Sequence, residues 1–119
     1  MRIYEVGDLI EKFDNGEATD EEVDRAIKGI FNEIKDGEII GAHEIHFLNE
    51  FFTPCDEKLA GVERHGWVIY NQIWNIDGKF YKCKRYYHDD RGSDYDDQVF
   101  IPCVKRVIET EVWEEANED

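Results

Sequence analysis

Serine is almost missing from this chain: Ser93 is the only one in 119 residues. It has no glycine elbow around it, so a serine nucleophile of the hydrolase kind is excluded. Prolines are confined to Pro54 and Pro102, and no low-complexity linker divides the chain. Cysteine stops at Cys55, Cys83 and Cys103, an odd number far apart with no Cys-x-x-Cys. That speaks against a disulfide framework and suits reduced thiols. Long apolar runs are absent too, and no stretch approaches the roughly 18 residues of a membrane span. The start Met1-Arg2-Ile3-Tyr4-Glu5 lacks the apolar core and cleavage site of a signal peptide. A cytoplasmic protein is expected. Glycine-rich phosphate loops are missing as well.

Positive charge is scarce: 14 Lys and Arg face 29 Asp and Glu, for a net charge of −15. Such a charge repels DNA, RNA and anionic membranes and favours a basic partner. The plainer alternative is that the acids keep a small protein soluble. The acids are interspersed among periodic apolar residues, and 41% of the chain is hydrophobic with 13% aromatic, so a folded domain is expected and not a disordered acidic tail. Its length suits one domain, residues 1–119. Within it we read a helical part at 1–37, a strand and loop at 38–66, an antiparallel sheet at 67–113 and an acidic tail at 114–119.

The helices come first. Val6, Leu9, Ile10 and Phe13 recur at helical spacing before the turn Asp14-Asn15-Gly16. Thr19 with Glu22 three residues on is a capping-box pattern, and Val23, Ala26, Ile27, Ile30, Phe31 and Ile34 make one stripe ending near Gly37. Glu38–Leu48 reads as a strand interrupted by His43 and His46. Asn49–Gly66 reads as a loop with a helical turn at Asp56–Ala60, anchored by Phe51 and Phe52.

The densest aromatic and β-branched stretch runs from Trp67 to Trp113. Asp77-Gly78 between two such runs predicts a type I′ hairpin. That turn would set Trp74 opposite Tyr81, Gln72 opposite Cys83, Tyr70 opposite Arg85 and Val68 opposite Tyr87. The other face would carry Ile73 with Lys82, Asn71 with Lys84 and Ile69 with Tyr86. The Trp74–Tyr81–Cys83 side is the expected core. A third strand is predicted over Val99–Trp113, with Phe100, Val104, Ile108 and Val112 on one face and Lys105, Glu109 and Glu111 on the other; Pro102 marks an edge or bulge. The fold class is therefore α+β: two N-terminal helices packed on a mostly antiparallel sheet of three to four strands.

Chemistry-bearing patterns are weak. His88–Asp97 holds five aspartates in ten residues, but the alternation of an EF-hand is missing. His43, His46, Cys55 and His65 are the residue types of a zinc set without its spacing. Cys55 with His65 or His46 lacks a third group, and nearby acids raise a thiol pKa. Lys79, Lys82, Lys84, Arg85 and Arg91 interleave with Tyr81, Tyr86 and Tyr87 in the manner of a single-strand binder, yet flanking acids oppose this and cross-strand pairing to carboxylates explains them. We expect no catalysis, no cofactor and no direct nucleic-acid or membrane contact.

Brevity, the charge, the helical start Asp20-Glu21-Glu22-Val23-Asp24 and the strands around Gly78-Lys79-Phe80-Tyr81 and Val104–Trp113 together resemble small acidic bacteriophage-encoded inhibitors of host defence, of the anti-CRISPR and DNA-mimic type. The likeness is one of composition and layout and carries over no residue role. It implies an acidic inhibitor of a basic nucleic-acid-handling protein such as a CRISPR effector. The candidate partner-binding residues, read from the acids themselves, are Asp89, Asp90, Asp94, Tyr95, Asp96 and Asp97, with Glu21, Glu22 and Asp24 as a second patch. The alternatives are a small-ligand (nucleotide) or metal-binding domain using His43, His46 and the sheet aromatics, and an oligomeric structural or interaction protein.

Overall fold

Thr19 caps the helix that the sequence marks most clearly. Its hydroxyl accepts from Glu22 N at 3.2 Å while the Glu22 carboxylate accepts from Thr19 N at 3.2 Å, closing the expected capping box. Helix α2 (Asp20–Lys35) ends at Gly37, whose φ of +74° permits a Schellman turn: Glu38 N bonds Glu33 O and Gly37 N bonds Ile34 O. Its stripe buries Ala26, Ile30 and Ile34. Helix α1 (Ile3–Asp14) buries Val6, Leu9 and Ile10 beside it. The computed structural model describes residues 3–106 together with residue 116. The positions Glu109, Ile108, Glu111, Val112 and Trp113 of the predicted third strand lie outside the described residues.

After α2 the chain departs from the sequence reading. Only Ile39–Ile40 is a strand (β1), and Ala42–Asn49 forms a helix, α3, where a strand over Glu38–Leu48 was expected. Gly41, the residue before α3, has no capping side chain; Asp97, 55 residues away, supplies the carboxylate that accepts from Ala42 N at 2.8 Å. A cap brought by tertiary structure decides against the local β-branched run. Ile45, Phe47 and Leu48 are then buried. Phe51 and Phe52 remain about 40% exposed, yet Phe51 meets Phe13 at a tilt and Phe47 edge-on at 5.3 and 5.2 Å, and Phe52 meets Phe31 at a tilt at 5.5 Å.

The second correction is Asp56–Val62, which is strand β2 and not a loop with a helical turn. Nearly all its side chains are exposed, so no alternation marks it; it exists because β3 (Val68–Ile76) offers an edge, from Asp56↔Ile73 to Val62↔Val68, with a bulge between Leu59 and Gly61. Between the two, Arg64–Gly66 makes a tight turn with His65 and Gly66 both at positive φ.

Strands β3 and β4 (Lys79–His88) meet in the expected register, Trp74↔Tyr81, Gln72↔Cys83, Tyr70↔Arg85 and Val68↔Tyr87. Asp77 at φ 52° and Gly78 at φ 85° give the I′ turn. Trp74, Tyr81 and Cys83 are buried, as the reading of that face anticipates.

The predicted strand from Val99 onward is broken at its start. After β5 (Gly92–Asp94), β6 (Gln98–Val99) leaves the main sheet to pair with β1, Phe100 turns into the core, and β7 (Ile101–Cys103) returns to β4, with Pro102 on the outermost of the described strands. Strands β5 and β7 thus share one edge of β4, at Tyr86–His88 and Phe80–Lys82. In the gap the Gln98 side chain takes a strand's role: its Oε1 accepts from Lys84 N at 2.7 Å and its Nε2 donates to Lys84 O at 2.9 Å. Among the described residues the main sheet has five strands, β2-β3-β4-β5 with β7 beside β4, so the α+β class stands with a larger sheet than expected.

Candidate functional site

The acidic loop is built from both ends of that gap. Strand β4 ends at His88, and Asp89 and Asp90 sit at the tip of the turn that Arg91 N closes onto His88 O at 3.1 Å. His88 pins the tip: its Nδ1 accepts from Asp90 N at 3.0 Å, so its Nε2 carries the hydrogen bonded to His65 O at 3.0 Å. A side chain at Gly66 would come within 3.3 Å of that Nε2, one reason for glycine there. Strand β5 then runs back along β4, and all five aspartates, 89, 90, 94, 96 and 97, are exposed.

Tyr95 does something different. It is 3% exposed, so it is an anchor beneath the acids and not a surface contact. Its hydroxyl donates to Gln72 Oε1 at 2.9 Å and accepts from Asn49 Nδ2 at 2.5 Å, and its ring meets His46 edge-on at 5.0 Å. Burial pushes the phenol pKa up. Asp94 faces His46 at 3.7 Å, and Asp97 is the α3 cap. The loop acids are therefore fixed by the sheet edge on one side and by α3 on the other.

The second patch is elsewhere, on the first turns of α2. Glu21 is exposed, Glu22 is committed to the capping box and to Lys12 at 2.7 Å, and Asp24 pairs with Lys28 at 2.9 Å. Lys12 and the Thr19 amide hold the Glu22 carboxyl below its ordinary value.

A cluster that the sequence did not suggest lies on the inner face of the sheet, beyond the helices. Arg85 on β4 makes a two-pronged bond to Glu57 on β2, Nε to Oε2 at 2.9 Å and Nη2 to Oε1 at 2.6 Å, and its Nη1 donates to Ser93 at 2.7 Å. The guanidinium lies 4.6 Å from the Tyr70 ring centre and 5.6 Å from that of Tyr87. Gln72 adds a bond to Glu57 at 2.7 Å, so the chain Asn49, Tyr95, Gln72, Glu57, Arg85, Ser93 is continuous. The Arg85 hydrogen bond, aided by Gln72, lowers the Glu57 pKa. A phosphate could reach this arginine only by displacing Glu57, which weighs against a nucleotide site there. The advance signals were the basic and aromatic interleaving of β4 and the expected pairing of Tyr70 with Arg85; the partner carboxylate sat in a segment read as helical turn.

The metal and nucleophile candidates do not converge. His43 and His46 lie on α3, three residues apart, facing Asp14 and Asp94 respectively, and no group of three metal-ligating side chains comes together among the described residues. The Cys55 thiol donates to Ile73 O at 3.2 Å. Cys83 is buried against the Trp74 indole N–H at 3.2 Å, and burial raises its pKa to about 12. No described helix is long and apolar enough to cross a membrane.

The fold and site define an α+β protein with helices on one end of an antiparallel sheet and a braced acidic loop along its edge. No protein family, curated protein or solved structure matches the chain.

Proposed function

We propose that this chain is a non-enzymatic acidic inhibitor that binds a basic nucleic-acid-handling protein, a CRISPR effector being the kind of partner, and covers its nucleic-acid site. The observation that carries the reading is the loop 89–97: exposed carboxylates on a fixed frame, with His46 the one basic side chain paired to them among the described residues. Duplex DNA presents one charge per roughly 1.7 Å of its axis, and closely spaced aspartates on a rigid edge answer an Arg and Lys groove shaped for it. Pre-ordering spares the entropy of fixing a flexible acidic loop on binding. Asp89, Asp90, Asp94 and Asp96 are the contacts; Glu21 and Asp24 form the secondary patch, and Glu22 stays with its cap.

The test is recovery of partners from a bacterial lysate at low and high salt, followed by competition of the recovered protein with duplex DNA. Wild type should capture a nucleic-acid-handling protein, release it as salt rises, and displace its DNA. The Asn variant at 89, 90, 94 and 96 should do neither. Asp97 is left intact because its loss would uncap α3. Equal capture by both proteins, or capture insensitive to salt, would count against the loop.

A further inference from the structure

Glu33 belongs to α2 but lies on its apolar side, 2% exposed. Neither of its carboxyl oxygens has a hydrogen-bond partner among the described residues, and Glu44 Oε2, on α3, is buried without one as well. The two carboxyls lie within hydrogen-bonding reach of each other, and two buried acceptors with no donor between them cannot both be ionised; one proton converts the clash into a strong O–H···O⁻ bond. Glu38, in the turn after α2, adds a further negative charge. Asp97 is close by: a Cβ at Gly41 would sit 3.4 Å from Glu44 Oε1 and 3.8 Å from Asp97 Oδ1.

We propose that Glu33 and Glu44 share a single proton, and that this proton fastens α3, with the loop that caps it through Asp97, onto α2. Burial first, then Glu44, raises the Glu33 pKa to about 8, against 4.5 for the ordinary side chain. The folded state thus keeps a proton that the unfolded chain releases. Its stabilisation is complete below pH 4.5 and is lost as pH rises through about 8. Mildly alkaline conditions release α3 and loosen the frame of the loop.

The test is the unfolding equilibrium in denaturant from pH 5 to pH 9 for wild type, Glu33→Gln, Glu44→Gln and the charge control Glu21→Gln. One proton bound more tightly by the folded state changes the unfolding constant by about tenfold per pH unit across the window. Wild type and Glu21→Gln should show that slope. Glu33→Gln, whose amide donates to Glu44 at every pH, should flatten it and unfold less readily at pH 8. Glu44→Gln supplies the donor from the other side and serves if the first variant does not fold. Hydrogen exchange of the α3 amides, corrected for intrinsic rates, should open above pH 8 in wild type only. Equal slopes in wild type and the Gln variants would overturn the shared proton, and unchanged α3 protection would overturn its fastening role. A rise in wild-type stability at pH 8 with millimolar calcium, absent in Glu33→Gln, would replace the proton with a cation.

Discussion

The two ends of one sheet face differ more than their shared strands suggest. At one end Trp74, Ile76, Tyr81 and Cys83 are closed over by three helices and Phe100 into an apolar core. At the other, beyond Gln72 on the same alternation, Tyr70, Arg85 and Tyr87 are half-buried, and Arg85 is held by an ion pair to Glu57. Gln72, 4% exposed, stands at the border and bonds to both sides. Apolar area holds the first end; geometry and charge hold the second. A strand pattern specifies which face is inward, but what covers that face decides its chemistry.

That contrast can be broken at several points. The largest effect should come from the covered end: Ile30→Ala, at a fully buried position, should cost about 2–5 kcal/mol in denaturant unfolding through lost burial and the cavity left behind. At the open end, Arg85→Ala leaves Glu57 with Gln72 alone and should cost about 1.5–3 kcal/mol, the range for hydrogen bonds to charged groups. Arg85→Lys should recover little of it, because an ammonium cannot repeat the two-pronged geometry. The pH limbs should also separate. Glu57, with its pKa held below 4.5, contributes above that value and loses its contribution as the pH falls through its folded pKa. Arg85→Ala should therefore flatten the acid limb while leaving the alkaline limb of Glu33 in place. Gln98→Ala should have the smallest effect, about 1 kcal/mol, by reopening the gap beside Lys84. Unaltered stability there would mean that water substitutes for the amide.

What could be read from the sequence was what is encoded locally. The Asp77-Gly78 turn and the Thr19–Glu22 cap each involve neighbours a few residues apart, and hairpin register and helix start follow from them. Helix α3 was misread because its cap comes from Asp97; β2 was misread because its side chains face water and only the β3 edge makes it a strand. The strand begun at Val99 was cut because Phe100 is worth more in the core than in continued pairing with one neighbour. Glu33 was visible in principle, since it lies three positions after Ile30 on the buried side of α2, but a lone carboxylate in an acidic helix reads as solvated. The loop acids were legible by composition, whereas Tyr95 as their anchor required the fold.

The shared edge of β4 has one more consequence, for how copies of this chain behave when crowded. An open row of strand amides templates aggregation. Here β4 is bordered by two short strands and a glutamine side chain in place of one long neighbour, and Pro102 lacks an N–H to offer outward. The opposite border, β2, is interrupted by its bulge and begins with Asp56, Glu57 and Lys58. Among the described residues neither margin presents an uninterrupted ladder, so the backbone of one copy offers little for another copy to extend.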